Sequence, residues 1–315
     1  MTDVPQDMDH SILCGDCLEV MPAIPDRCVD MILCDLPYGV TKNKWDSVIP
    51  LELLWEQYAR VLRPSGVVVL TAFGKFSAML MMSAKVEYQY SMVWCKANVT
   101  NQLNAKKQPL RQHEDILVFY SGRATYNPQG IVRREDVAGT TIVTQGSKLT
   151  TNYDQNYDRG KPYEQEWTNW PTSLVYTKSV FGPKRHPTEK PEELFAYFVS
   201  TYTNEGMLVL DNASGSGTTA VVCHRLRRRF ICIEKDAKYH KESVARLAEE
   251  SSTVFDEEEP PALPKASEPV SKPLVYVPPG AAMNTGNQDL DAPDTKYDRG
   301  VNSRDPNDKG WSDKI

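Results

Sequence analysis

The sequence predicts an α/β protein built around a mostly parallel, covered sheet. Three observations carry that prediction. Short apolar runs alternate with amphipathic helical stretches over residues 11–121 and again over 191–250, the rhythm of strands joined by crossover helices. Two of those runs end in turns that carry polar, ligand-facing chemistry: Asp35-Leu36-Pro37-Tyr38, and Asp211 through Thr219 with its two glycines. The apolar fraction of 40% over 315 residues is enough for a sizeable core, and no apolar run reaches the length needed to span a bilayer.

Taken in order, residues 11–16 read as a strand ending in Gly15-Asp16, and 17–24 as a short helix stopped by Pro25. The run Ile32-Leu33-Cys34 reads as a buried strand, and the turn after it delivers Asp35 and Tyr38 to one edge of the sheet, the edge where open α/β sheets bind ligands. Proline there fixes the backbone and frees a nearby carbonyl to accept a hydrogen bond. An anionic acceptor, a free carbonyl and a flat ring suit a planar group bearing an amine. Residues 50–62 form an amphipathic helix with Leu51, Leu54, Tyr58 and Val61 near helical spacing, ending before Arg63-Pro64-Ser65-Gly66. Strands at 67–71, 88–96 and 115–120 and a Met-rich helix at 76–84 complete this half.

From 122 to 183 the periodicity fails. Tyr153, Tyr157, Tyr163, Trp167, Trp170 and Tyr176 alternate there with polar groups, and so long an irregular stretch inside a compact domain points to function. Regular structure resumes with a helix at 191–202, a strand at 207–210, a helix at 220–227, a strand at 229–233 ending at Glu234, and a last helix at 238–250. Beyond it, nine of the 22 prolines and an acid-rich balance describe a flexible tail over 251–315.

Strand, glycine turn, helix, strand and acidic residue describe a nucleoside-binding half-sheet. Gly215 and Gly217 let the backbone approach a ligand, and Glu234 can accept from two ribose hydroxyls. Ala220 stands where a dinucleotide motif would have its third glycine, which disfavours a pyrophosphate cradle and with it a nicotinamide-dependent oxidoreductase.

The order of these motifs resembles the beta-class amino DNA methyltransferases that use S-adenosylmethionine, over roughly residues 11–250. In that family a D-P-P-Y motif precedes the target-recognition region and a D-P-F-x-G-S-G-T motif follows it. Here Asp35-Leu36-Pro37-Tyr38 comes first, the irregular insertion second, then His186-Pro187-Thr188-Glu189-Lys190-Pro191, then Asp211 to Thr219. The resemblance implies a Rossmann-like methyltransferase in circularly permuted motif order: a catalytic half at 1–121, a target-recognition insertion at 122–183, a cofactor-binding half at 184–250 and the tail at 251–315. It implies double-stranded DNA as substrate, base extrusion, and methylation of the adenine 6-amino group, since Asp at the first motif position goes mostly with adenine. Cytosine N4 methylation is the rival, and a catalytically weakened DNA-binding relative a third reading.

By the same resemblance Asp35 and the Leu36 carbonyl grip the amine, on a turn that Pro37 stiffens, and Tyr38 stacks on the base. Asp211, Ser214, Gly215, Ser216, Gly217 and Thr218 line the methionine side of the cofactor, Glu234 holds its ribose, Thr188 and Lys190 meet its carboxylate, and Asp16 lies near its adenine. Leu36 replaces the family's usual proline, and Asn212-Ala213 replaces Pro-Phe, so a common aromatic contact to the cofactor is missing.

No metal is required by this chemistry, and the Cys14-x-x-Cys17 pair lacks the second pair that a zinc site needs. The net charge of −6 is concentrated in the tail, at −5, leaving the body at −1 with basic clusters at Lys106-Lys107-Arg111, Arg133-Arg134, Lys184-Arg185 and 225–229. A polyanionic partner is therefore permitted. Seven cysteines spread through strand-like segments and a polar N-terminus without a signal pattern make a cytoplasmic location the expectation. The oligomeric state is open, a homodimer among the options.

Overall fold

A computed structural model describes residues 4–39, 47–133, 166–177 and 189–253. The backbone divides into Met1–Val270 and Ser271–Ile315, and every described residue belongs to the first unit. In chain order the elements are β1 (Ser11–Cys14), α1 (Cys17–Val20), β2 (Val29–Cys34), α2 (Leu51–Val61), β3 (Leu62–Ala72), α3 (Lys75–Ser83), β4 (Tyr88–Thr100), β5 (Arg111–Phe119), β6 (Val132–Arg133), β7 (Trp167–Thr168), β8 (Leu174–Tyr176), α4 (Glu192–Tyr202), β9 (Leu208–Asp211), α5 (Thr218–Arg225), β10 (Arg229–Glu234) and α6 (Ala237–Thr253).

Eight strands form one sheet in the order β1-β10-β9-β2-β3-β5-β4-β8. All neighbours pair in parallel except β5, which runs antiparallel to β3 and to β4. The expected mostly parallel sheet is observed. Its centre joins chain segments far apart in sequence: Met31 and Ile32 of β2 pair with Val209 and Leu210 of β9. From β9 the chain winds outward to β10, and from β2 it winds the other way to β3. The strand order therefore reverses between β9 and β2, and a crevice opens outside the carboxyl ends of those two strands.

Both faces are covered, which explains the uninterrupted apolar strands. Ile32, Cys34, Val68, Leu70, Leu210 and Ile233 pack on one side with Leu54, Trp55 and Tyr58 of α2. Met31, Leu33, Val67, Val69, Val209 and Cys232 pack on the other with Phe195, Phe198 and Val199 of α4 and Val222 of α5. Adjacent residues thus serve opposite cores, as the two-residue period of a strand requires.

Two departures from the sequence reading concern strands. The strand expected at 67–71 begins already at Leu62, directly after α2, and the register shift opposite Val29 and Met31 absorbs Arg63-Pro64-Ser65-Gly66. Within the expected insertion, β6 and β7 form a separate two-stranded ladder, while β8 pairs with Val93, Trp94 and Cys95 of β4 as the edge strand of the main sheet. Residues 134–165 and 178–183 of the expected insertion, together with His186, Pro187 and Thr188, lie outside the described residues.

Candidate active site

The polar side of the crevice begins where β2 ends. Cys34 pairs with Leu70 of β3, which sets the next residues, Asp35 and Thr71, side by side. The Thr71 hydroxyl hydrogen-bonds Asp35 Oδ1. The Tyr38 hydroxyl sits 3.0 Å from Asp35 Oδ1, 3.0 Å from Thr71 Oγ1 and 3.3 Å from Glu114 Oε2. A phenol has one proton, so it donates to one of these at a time. Lys190 Nζ lies 2.7 Å from Asp35 Oδ2 and 3.2 Å from Glu114 Oε2, and Lys96 Nζ lies 3.0 Å from Glu114 Oε1. The Lys190 ammonium also lies 5.6 Å from the Tyr38 ring centroid and 5.9 Å from that of Trp94, within cation–π range.

Two carboxylates and two ammonium groups are thus interleaved in a largely buried cluster. Burial pushes Glu114 upward, but the neighbouring Lys190 and Lys96 outweigh it and hold the carboxyl below its ordinary value. Burial works against the charged form of Lys190, and Asp35 and Glu114 overcome it, raising its pKa. Burial and then the same two carboxylates push the Tyr38 phenol well above its ordinary range, so it remains a neutral donor.

The other side of the crevice is the turn after β9. Asp211 is buried, and it accepts from the Ala213 N–H at 3.2 Å and from the Thr219 hydroxyl. Burial raises its pKa to about 6, with the Thr219 bond opposing. Gly215 adopts a positive φ of 52° and donates its N–H to Glu234 Oε2 at 2.7 Å, while Glu234 Oε1 accepts from the Asp236 N–H at 2.7 Å. Burial raises Glu234 as well, with those backbone donors opposing. Cys14 pairs with Glu234 across β1 and β10, which brings Asp16 beside this turn. Asp16 caps α1 through the Leu18 N–H at 2.9 Å and pairs with Lys235 at 2.8 Å, the bond to Lys235 being the main reason its pKa is lowered.

A single cavity of about 660 Å³ connects the two sides. Asp16, Asp35, Leu36, Pro37, Tyr38, Lys190, Asp211, Ser214, Gly215, Ser216, Thr218 and Glu234 all line it. The Asp35–Tyr38 turn and the glycine turn facing Glu234 therefore share one chamber.

A family model described as DNA methylase, for N6 and N4 methyltransferases, matches residues 29–245. The chain belongs to that family. The type II methyltransferase M.HpaI of Haemophilus parainfluenzae is 25% identical over 255 residues, which span 77% of this chain and 76% of that protein. The DNA adenine methyltransferase YhdJ of Escherichia coli K12 is 27% identical over 252 residues, spanning 75% and 82%. Among solved structures, the M1.HpyAVI–SAM complex matches with a TM-score of 0.51 at 22% identity, over 75% of this chain and 99% of that one. The PvuII DNA methyltransferase, described as cytosine-N4-specific, matches with a TM-score of 0.51 at 14% identity, over 78% and 92%. These two likenesses are of fold.

Within this DNA methylase the structure redistributes several expected parts. Lys190, assigned by resemblance to a cofactor carboxylate, lines the cavity and has its ammonium against Asp35 and Glu114. Gly217 does not line the cavity; it opens α5 at a φ of 75°, and a Cβ there would meet Ser243 Cβ of α6 at 2.8 Å. Close packing of two helices is what that glycine permits. Asn212 is buried and its Oδ1 accepts from the Tyr58 hydroxyl at 2.5 Å, so the replacement of proline is tied into the core under α2. Ala213 leaves the missing aromatic contact unfilled at its own position, although Tyr239 lines the same cavity.

Sequence reasoning missed Thr71, Trp94, Lys96 and Glu114. Glu114 had a readable sign: it starts the apolar run of β5, and an antiparallel strand brings its first residues to the edge where its parallel neighbours end. Among the described residues, no group of three or more His, Cys, Asp or Glu is placed to hold a metal ion. Among them, no helix is long and apolar enough to cross a membrane.

Proposed function

We propose that this DNA methylase transfers a methyl group from S-adenosylmethionine to the 6-amino group of an adenine extruded from double-stranded DNA. The observation that carries this reading is the one chamber in which the Asp35–Tyr38 turn and the Gly215–Glu234 turn meet. Asp rather than Ser at position 35 favours adenine within the family pattern, and the relative YhdJ is described as a DNA adenine methyltransferase.

The residues present fit the cofactor. Each Glu234 oxygen accepts one backbone N–H and retains a lone pair for a ribose hydroxyl. Among the described residues Ser214 Oγ is buried without a hydrogen-bond partner, and Ser214 lines the chamber, so a polar ligand atom drawn up to this turn would satisfy it. When bound, the cofactor supplies an electrophilic methyl group on a sulfonium.

The chain's own groups do the rest by position and charge. An extruded base costs a few kcal/mol in lost stacking and pairing, and stacking on the Tyr38 ring returns about 1–3 kcal/mol. Asp35 and the Leu36 carbonyl accept from the two N–H bonds of the amine, which turns the nitrogen lone pair outward. As positive charge grows on that nitrogen, Asp35 stabilises it, and the methylated amine then releases one proton to solvent water, with S-adenosylhomocysteine as the other product. Lys190 pairs with Asp35 Oδ2 at 2.7 Å before the base arrives, and the amine takes over the hydrogen bond to Oδ2. In this reading residues 122–183 supply target recognition between the catalytic half at 1–121 and the cofactor half at 184–250.

Incubation of unmethylated genomic DNA with the protein and cofactor, followed by nucleoside mass spectrometry, tests the reading. 6-Methyladenine is the expected product. Finding 4-methylcytosine alone would overturn the base assignment, and finding no methylated base would overturn the activity.

A further inference from the structure

The β4–β5 hairpin overhangs the active-site edge of the sheet. β3 ends at Ala72, paired with Asp115, whereas β5 begins four residues earlier at Arg111 and β4 continues to Thr100. At about 3.3 Å per residue the paired strands project roughly 13 Å past the end of β3 before they turn. Lys96 and the last strand pair of this projection, Thr100 and Arg111, line the catalytic chamber.

Its tip is ordered by its own bonds. Asn101 is left-handed at φ 76°, its Oδ1 accepts from Asn104 Nδ2 at 2.7 Å, and its carbonyl accepts from the Asn104 N–H at 3.0 Å. Gln102 Nε2 donates to the Val99 carbonyl at 2.9 Å, and the Lys107 N–H to that of Asn104 at 2.8 Å. On top of this turn stands Leu103, fully exposed, with Val99 and Leu110 partly exposed beneath it. Residues 96–113 contain four basic side chains and no acidic one, in a chain whose net charge is −6. A rigid apolar apex, ringed by amides and cations and rooted beside the chamber that receives the base, matches what a polyanion with stacked bases requires.

We propose that the β4–β5 hairpin is a DNA-inserting element: Leu103 enters the duplex beside the target base and fills the space that base vacates, while Lys106 and Lys107 hold the flanking phosphates. The proposal rests on the methyltransferase reading above. Double-stranded DNA is its one occupant. Leu103 acts on the unpairing of the base and touches no reacting atom, so its effect belongs to duplex substrates alone.

The test uses the full chain, radiolabelled S-adenosylmethionine and a duplex carrying the target site mapped from genomic methylation. Leu103→Ala is expected to lower kcat/KM at least tenfold on the paired duplex, and to come within twofold of wild type when the target base faces an abasic site and is already unpaired. Leu103→Met should retain most of the paired-duplex rate. With 2-aminopurine at the target position, Leu103→Ala should give less extrusion fluorescence. The Lys106→Ala, Lys107→Ala double variant should flatten the plot of log affinity against log salt by about 2. Wild-type rates for Leu103→Ala on the paired duplex, or equal losses on both substrates, would overturn the wedge and leave the methyltransferase reading standing. If the wild-type protein methylates neither substrate, that reading falls and the wedge with it.

Discussion

In the proposed mechanism Asp35 grips the amine, and Thr71, Tyr38 and Lys190 hold its carboxylate in place. Removing it should leave the glycine turn untouched: Asp35→Ala is expected to lower methyl transfer by about 10²- to 10³-fold, with cofactor affinity by calorimetry within a few-fold of wild type. Substantial activity in that variant would end the proposed role. Glu114 is held below its ordinary value of 4.5 with Lys190 and Lys96 as partners. A depressed carboxyl contributes stability above its unfolded pKa and loses it as pH falls through the folded one. Glu114→Gln should therefore unfold more easily at pH 7, by on the order of 1–3 kcal/mol, and the gap to wild type should close below about pH 4.5. Thermal unfolding across pH measures both. At this scale the sequence named Asp35 and Tyr38 through their turn, but not Glu114 or Lys96, because the contacts that select them cross the chain: Tyr38 and Glu114 are 76 residues apart, and Lys190 and Asp35 are 155.

At the scale of elements, α6 clamps the ligand-facing turn. Arg246 is buried and donates to the Ser216 carbonyl at 2.9 Å, pairs with Glu192 at 2.5 Å and lies 3.1 Å from Glu189. Arg246→Leu removes the bonds to Ser216, Glu192 and Glu189 together, and a loss of about 1–3 kcal/mol is expected in urea unfolding, accompanied by weaker cofactor binding because Ser216 lines the chamber. Gly217 joins the same helix to α5. Gly217→Ala meets both a positive φ and the Ser243 Cβ at 2.8 Å, and should cost about 1–3 kcal/mol, with Ser243→Gly restoring the part due to contact. No loss in the single variant would show that the two helices can separate freely. Element spans were readable because their causes are local. The spacing of Leu51, Leu54, Tyr58 and Val61 defines α2 without reference to any other segment. The pairing of β8 with β4 was not readable, since three residues of an edge strand carry no period of their own.

For the molecule as a whole, the reversal of strand order between β9 and β2 sets two turns far apart in sequence around one chamber, and the central pairing has an electrostatic cost. Asp211 is raised from 3.8 to about 6 by burial, so the fold favours its protonated form. That contribution is fully present below about pH 4 and disappears as pH rises through about 6. Relative to wild type, Asp211→Asn should thus gain stability progressively between those two pH values and hold a constant difference above them, of up to about 3 kcal/mol. Parallel unfolding curves for the two proteins over that range would contradict the assignment.

By itself the sequence determined the alternation of strands and helices, the two ligand-facing turns, their permuted order and the family chemistry these imply, because periodicity, turn residues and short motifs act over a few neighbouring positions. Only the tertiary structure decided that Lys190 stands with Asp35 and Glu114, that Gly217 serves helix packing, and that the β4–β5 hairpin reaches past the sheet edge with Leu103 at its apex. Those facts depend on which strands lie side by side. Strand neighbours are chosen by the burial of two whole sheet faces at once, a global requirement that no local stretch of sequence contains.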